Sequence, residues 1–168
     1  MSVRLLHNFY NRDVLELAPD LLGKKIIRSI NGEVFEYFIT EVEAYRGEED
    51  RACHASKGRT KRTEAMYLEG GHIYMYLIYG MYWMFNIVAG TEGIPQAILI
   101  RSLKDFRGPG RLSRELRLDK SFYGESLVTS KRIWLENGIE VCDIKKGRRI
   151  GIDYAGEIWK KKEWRFFI

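Results

Sequence analysis

The chain has 168 residues, 45% of them apolar and 30% charged, a length and balance that suit one soluble globular domain around a single core. Its two cysteines, Cys53 and Cys142, are too few for a disulfide framework; there is no CxxC pair, and the three histidines (His7, His54, His72) lack metal-ligand spacing, so no metal site is expected. The net charge of +5 accommodates a polyanionic partner without requiring one.

The N-terminal MSVRLLHNFY has no basic region followed by a long apolar run, so no signal peptide is expected and a reduced intracellular compartment follows. Asp13 can cap a short helix carrying Val14, Leu15 and Leu17. Pro19 suits the first turn of another short helical piece and Gly23 its end. A strand is predicted over 24–30, a two-residue hairpin turn at Asn31-Gly32, and a returning strand over 33–45. Residues 46–63 read as a polar loop whose second half carries Arg51, Lys57, Arg59, Lys61 and Arg62.

From Gly70 to Thr91 the chain reads GGHIYMYLIYGMYWMFNIVAGT, without a single Lys, Arg, Asp or Glu. This is long enough to raise the question of a membrane span. The tyrosines, His72, Asn86 and the break at Gly80 fit a hairpin better, with strands over 72–78 and 83–89 and a tip at Tyr79-Gly80-Met81-Tyr82. A further strand is predicted over 96–103 and a short helix over 111–117 behind Gly108-Pro109-Gly110. Strands over 130–135 and 139–144 flank Glu136-Asn137-Gly138, and segments 149–152 and 164–168 finish the fold. Antiparallel hairpins outnumber helices, which predicts an α+β class with one domain over residues 1–168.

Several side chains could carry chemistry. Strand alternation puts Glu41, Glu43 and Tyr45 on one face and Val42 and Ala44 on the other, leaving the carboxylates at a pocket edge or in water. A glutamate there can serve as a general base or simply be solvated, and spacing does not choose between the two glutamates. His54, in the basic loop, can offer one donor and one acceptor to a flat ligand. Tyr74 and Tyr76 alternate with Ile73, Met75 and Leu77, so one row can hold the sheet while the other lines a cleft where a base stacks. Tyr79, beside Met81 and Tyr82 at a tip, is poorly placed for burial and reads as a contact surface or a wedge between base steps. Asn86 is either a structural bridge or a reader of a base edge. Arg101 ends an apolar run and needs a carboxylate partner, for which Glu41 and Glu43 are candidates. Gly108 to Arg111 could offer backbone N–H groups to a phosphate.

Together these residues resemble the alkyladenine (3-methyladenine) DNA glycosylases of the mammalian type. The matching pieces are EVEAYRGEEDRACHA at 41–55, GGHIYMYLIYGMYWMFNIVAGTEG at 70–93, AILIRSL at 97–103 and GPGRLSREL at 108–116, in the family's order and over nearly the whole chain. The resemblance implies a single mixed α/β domain around a curved antiparallel sheet with a protruding β-hairpin. It implies a monofunctional glycosylase that needs no metal or cofactor and has no lyase step. Such an enzyme flips out alkylated or deaminated purines and hydrolyses the N-glycosidic bond, starting base excision repair.

Carried over by position, Glu43 resembles the base that activates water and Arg101 the residue that helps hold it. Tyr45, His54 and Tyr76 resemble the base pocket, and Asn86 the residue that disfavours the amino group of normal guanine. Tyr79 resembles the wedge in the minor groove, with Met81, Tyr82 and Arg111 expected to touch DNA. The expected partner is double-stranded DNA containing damaged purines. The expected protein is a monomer without membrane attachment, in a prokaryotic cytoplasm rather than a nucleus. Cys53 stands where the family usually has a small residue, which bears on substrate range. On residues alone, a non-catalytic binder of duplex DNA or structured RNA and a small-molecule purine-binding or transferase domain stay open.

Overall fold

The computed structural model describes residues 2–168. The chain forms short helices α1 (His7–Tyr10) and α2 (Val14–Leu21), then strands β1 (Lys25–Ile30) and β2 (Glu33–Arg46). In α2 the Asp13 carboxylate accepts the Leu15 N–H at 2.9 Å, and Val14, Leu17, Ala18 and Leu21 form its buried face. Pro19 does not start a second helical piece as expected; it lies inside α2. A proline there removes a backbone bond at a cost of about 3 kcal/mol. The continuous apolar face packed on β2 keeps the helix whole despite that cost.

Asn31 and Gly32 both have positive φ, 51° and 85°, the geometry of a tight hairpin turn matched to strand twist. β2 is the organising strand. Its first half pairs with β1, and its second half pairs with β5 (Gln96–Leu103) on one edge and with β9 (Arg165–Phe167) on the other. The aromatic stretch forms β3 (Ile73–Ile78) and β4 (Tyr82–Val88) in register from Ile73–Ile87 to Ile78–Tyr82, and β4 pairs with β5. The main path of the antiparallel sheet runs β3-β4-β5-β2-β1-β7, with β7 spanning Ile133–Glu136. β6 (Phe106–Arg107) pairs with β5, and β8 (Lys145–Gly147) pairs with β9. Two more helices, α3 (Pro109–Glu115) and α4 (Glu157–Lys160), complete the elements. This is the expected mixed α+β class with a large antiparallel sheet.

One expected strand is absent: residues 139–144 form no strand, and pairing starts only at Lys145. Residues 149–152 form a loop, and the return to the sheet is made by β9. No described helix is long and apolar enough to cross a membrane.

One sheet face carries Val42, Ala44, Ile73, Met75, Phe85, Ile87, Ile98 and Ile100 into the main core with α2, Leu112 of α3 and Phe122. The opposite face carries Tyr74, Val88 and Ala97 under a second cluster built from Cys53, Ala55, Met66 and Tyr67. The polar loop over 46–63, with the residues that follow it to 68, is thus a cover, folded into short 3-10 turns at His54–Lys57 and Glu64–Tyr67. Leu77, expected to help hold the hairpin, is instead 42% exposed, because β3 leaves the core before it reaches the tip.

Candidate active site

Between the cover loop, the hairpin and α3 lies an open cleft of about 1270 Å³. Glu43, Tyr45, His54, Tyr76 and Arg101 line its floor, and Tyr79, Tyr82, Arg111 and Arg114 its far side. Behind the floor a recess of about 40 Å³ is lined by Tyr45, His54, Tyr74, Tyr76, Asn86 and Tyr154.

Of the two expected places, Glu43 takes the pocket and not water: it lines the cleft with its side chain fully buried. The Oε1 atom accepts the Tyr45 hydroxyl at 3.1 Å and Arg101 Nη1 at 3.3 Å, and Oε2 accepts the Ile150 backbone N–H at 2.6 Å. Burial pushes its pKa above the ordinary carboxylate value, against the opposing pull of Arg101, the Ile150 N–H and Tyr45.

Arg101 reaches it through a break in register. Pairing passes from Val42–Ile100 to Glu41–Ser102, leaving Arg101 as the extra residue on β5. Such a bulge turns a side chain out of its usual direction. Here it lets Arg101 bridge two carboxylates, since its Nε donates to Glu41 at 3.3 Å. Glu41 is held in turn by Ser102 at 3.3 Å and Arg165 at 3.0 Å. The two glutamates that spacing left equivalent are thereby distinguished: Glu43 lines the cleft, and Glu41 holds Arg101 from behind.

The aromatic wall has a fixed geometry. His54 Nδ1 lies 2.8 Å from the Tyr74 hydroxyl, and its ring meets Tyr76 edge-on at 4.4 Å between centroids. Burial, with Arg62 and Lys57 adding to it, lowers the His54 pKa to about 4, so the ring is neutral near pH 7. The guanidinium of Arg62 sits 5.5 Å over the Tyr76 ring. Asn86 is buried, and its Nδ2 donates to the carbonyls of Tyr74 at 3.2 Å and Met84 at 3.3 Å. It bridges backbone and also lines the recess. Cys53 is packed away, with its thiol pushed up to about 12 by burial, so it is an unreactive filler at neutral pH.

The hairpin tip stands clear of the protein. Tyr79 is 84% exposed and Met81 61% exposed. Tyr79 and Gly80 turn the chain with φ of 54° and 64°. Positive φ on a tyrosine is a strained choice, and strain of this kind persists where a side chain must be presented. Tyr82 is partly buried against α3, with the Arg114 guanidinium 5.7 Å from its ring. Arg111 lies 5.9 Å from the Phe106 ring and lines the cleft.

All ten candidate residues therefore border or approach one cleft. Tyr74, already placed on the row that can face a cleft, orients His54. Four further contributors are not signalled in the sequence. Ile150 supplies a backbone donor, and Tyr154 borders both cavities. Arg149 and Asp50 form a fully buried ion pair behind Tyr45. The Ile150 donor belongs to the main chain, so no side-chain pattern announces it.

The methylpurine-DNA glycosylase family model matches residues 8–106 and 104–168. A protein of Natranaerobius thermophilus named "Putative 3-methyladenine DNA glycosylase" is 40% identical over 193 residues, covering 99% of this chain and 96% of its own. Proteins with the same name from Desulfitobacterium hafniense and Legionella pneumophila are 40% and 41% identical, covering 98% of this chain and 95% and 94% of theirs.

Proposed function

The chain belongs to the methylpurine-DNA glycosylase family and is a DNA-3-methyladenine glycosylase of base excision repair; from that premise we propose how its own residues perform the reaction. The observation that carries the proposal is the buried Glu43 carboxylate, held by three donors at the floor of an aromatic cleft. Oε1 receives two donors and Oε2 one, so the free lone pair that faces a water belongs to Oε2. Glu43 takes a proton from that water as its oxygen bonds to the sugar C1′. The C1′–N bond breaks, and its electron pair leaves with the purine. Arg101 holds the carboxylate ionised and in place.

Alkylated purines such as 3-methyladenine and 7-methylguanine leave readily, because the ring already carries positive charge. Deaminated hypoxanthine is a harder case that relies more on pocket contacts. A base inside a duplex is out of reach, so the nucleotide is extruded at a cost of a few kcal/mol. Tyr79 takes the vacated space, with Met81 and Tyr82 beside it. The base stacks among Tyr45, His54 and Tyr76. The fixed amide of Asn86 in the recess works against the extra amino group of guanine. Arg111 and the other cleft arginines meet phosphate, which makes binding fall steeply with salt.

The test is release of free base in single turnover from DNA carrying 3-methyladenine or hypoxanthine. Wild type releases base. Glu43→Gln keeps DNA binding and loses about 10²–10⁴ in rate. Excision by this variant within tenfold of wild type would remove Glu43 as the base. A wild type that binds but releases nothing would leave a non-catalytic binder.

A further inference from the structure

Behind the Tyr45 ring lies a buried charge pair that the reaction just described does not use. Arg149 and Asp50 are both fully buried, with Nη1 to Oδ2 at 2.5 Å and Nη2 to Oδ1 at 2.9 Å. The paired fork is the strong geometry for this ion pair. Asp50 also accepts the backbone N–H groups of Arg46 and Ala52, each at 3.0 Å, which pins the loop leaving β2. Arg149 donates to the Ala44 carbonyl at 3.0 Å and lies between the rings of Tyr45 and Trp164, at 4.9 and 5.0 Å. Burying two charges is costly, and an apolar pair often serves stability as well. A role in placement accounts for the expense, because the very next residue is Ile150, whose N–H holds Glu43 Oε2 at 2.6 Å.

We propose that the buried Arg149–Asp50 pair is a positioning device for Glu43: it fixes segment 149–151 to β2 so that the Ile150 N–H stays on the carboxylate. The inference rests on the reading of Glu43 as general base. The charged and titratable groups around Glu43 are Arg101 from β5, Glu41 and Tyr45 from β2, Tyr76 from β3, Arg165 opposite it on β9, and Tyr154. None of them substitutes for a donor on Oε2, so loss of the Ile150 N–H disfavours the ionised form.

The experiment is a pH profile of single-turnover base release for wild type, Asp50→Asn, Ile150→Pro and the double variant, each normalised to the fraction that binds abasic-site DNA. Ile150 is half exposed, so removing its N–H does not open the core. Each single variant is expected to move the acid limb to higher pH and to lower the plateau about tenfold. The double variant should match the singles, because both act through one N–H. A purely structural pair would lower the binding fraction and leave the limb in place. If Asp50→Asn does not fold, Arg149→Lys replaces it, since it keeps the charge and loses the carbonyl bonds. Wild-type limbs in Ile150→Pro, or in a folded pair variant, overturn the proposal. If wild type itself releases no base, the functional reading falls; if it does and the limbs do not move, only this inference falls.

Discussion

Glu43 and His54 face the same cleft, and burial drives each toward its neutral form. For Glu43 this opposes the proposed role as base, and Arg101 with the Ile150 N–H counteracts it. For His54 it assists, because a neutral ring keeps one acceptor for the Tyr74 hydroxyl or the ligand. The folded-state pKa of His54 lies below the unfolded value of 6.5, so its contribution to stability is full above pH 6.5 and is lost as pH falls toward about 4. NMR titration of the His54 ring should give a midpoint near 4, and wild type should lose its advantage over His54→Gln between pH 6.5 and 4. A midpoint above 6 would mean the ring is hydrated and not packed as described.

At the scale of elements, the β3–β4 hairpin is a core strand pair at one end and an exposed tool at the other. Ile73, Met75, Phe85 and Ile87 anchor it, and Tyr79 and Met81 project. Its outer half rests on α3, where a methyl group at Gly110 would meet the Tyr82 ring at 2.8 Å. Helix α3 thus sets the angle of the tip. Tyr79→Ala is expected to cost about 1–3 kcal/mol in binding to abasic-site DNA, with the melting temperature unchanged. Gly110→Ala should cost affinity by displacing Tyr82 and tilting the hairpin, and the same clash should offset the roughly 1 kcal/mol by which alanine favours a helix over glycine. Undiminished affinity in both variants would show that the tip does not enter DNA.

Over the whole molecule, the sheet divides two tasks between its faces. One face builds the main core; the other carries Glu43, Tyr45, Tyr74 and Asn86 beneath a cover loop locked by Asp50 and Arg149. Removing one member of that pair strands a buried charge. Asp50→Ala should therefore lower unfolding stability by about 3–5 kcal/mol in urea melts, a large share of a typical total of about 5–15 kcal/mol. A loss below about 1 kcal/mol would show that water reaches Arg149.

Much of this was legible in the chain because the physics involved is local. Alternation in ITEVEAY placed Glu41, Glu43 and Tyr45 on one face, Asn31-Gly32 marked its turn, and an uncharged aromatic run broken at Gly80 marked a hairpin with an exposed tip. The motifs in their order carried the family and the candidate residues. The tertiary structure decided what depends on contacts between distant segments. A bulge that no composition signals aims Arg101 at both glutamates and so gives them different surroundings. A loop more than a hundred residues from Glu43 brings it a backbone N–H. The strand expected over 139–144 does not form, its Ile139 N–H going to the Gly23 carbonyl and Ile144 packing on the core, while a three-residue strand at the C-terminal end pairs with β2. Side-chain direction is written into the strand period, but the depth of burial, and with it the proton affinity of Glu43 and His54, is set only when the cover loop closes over the sheet.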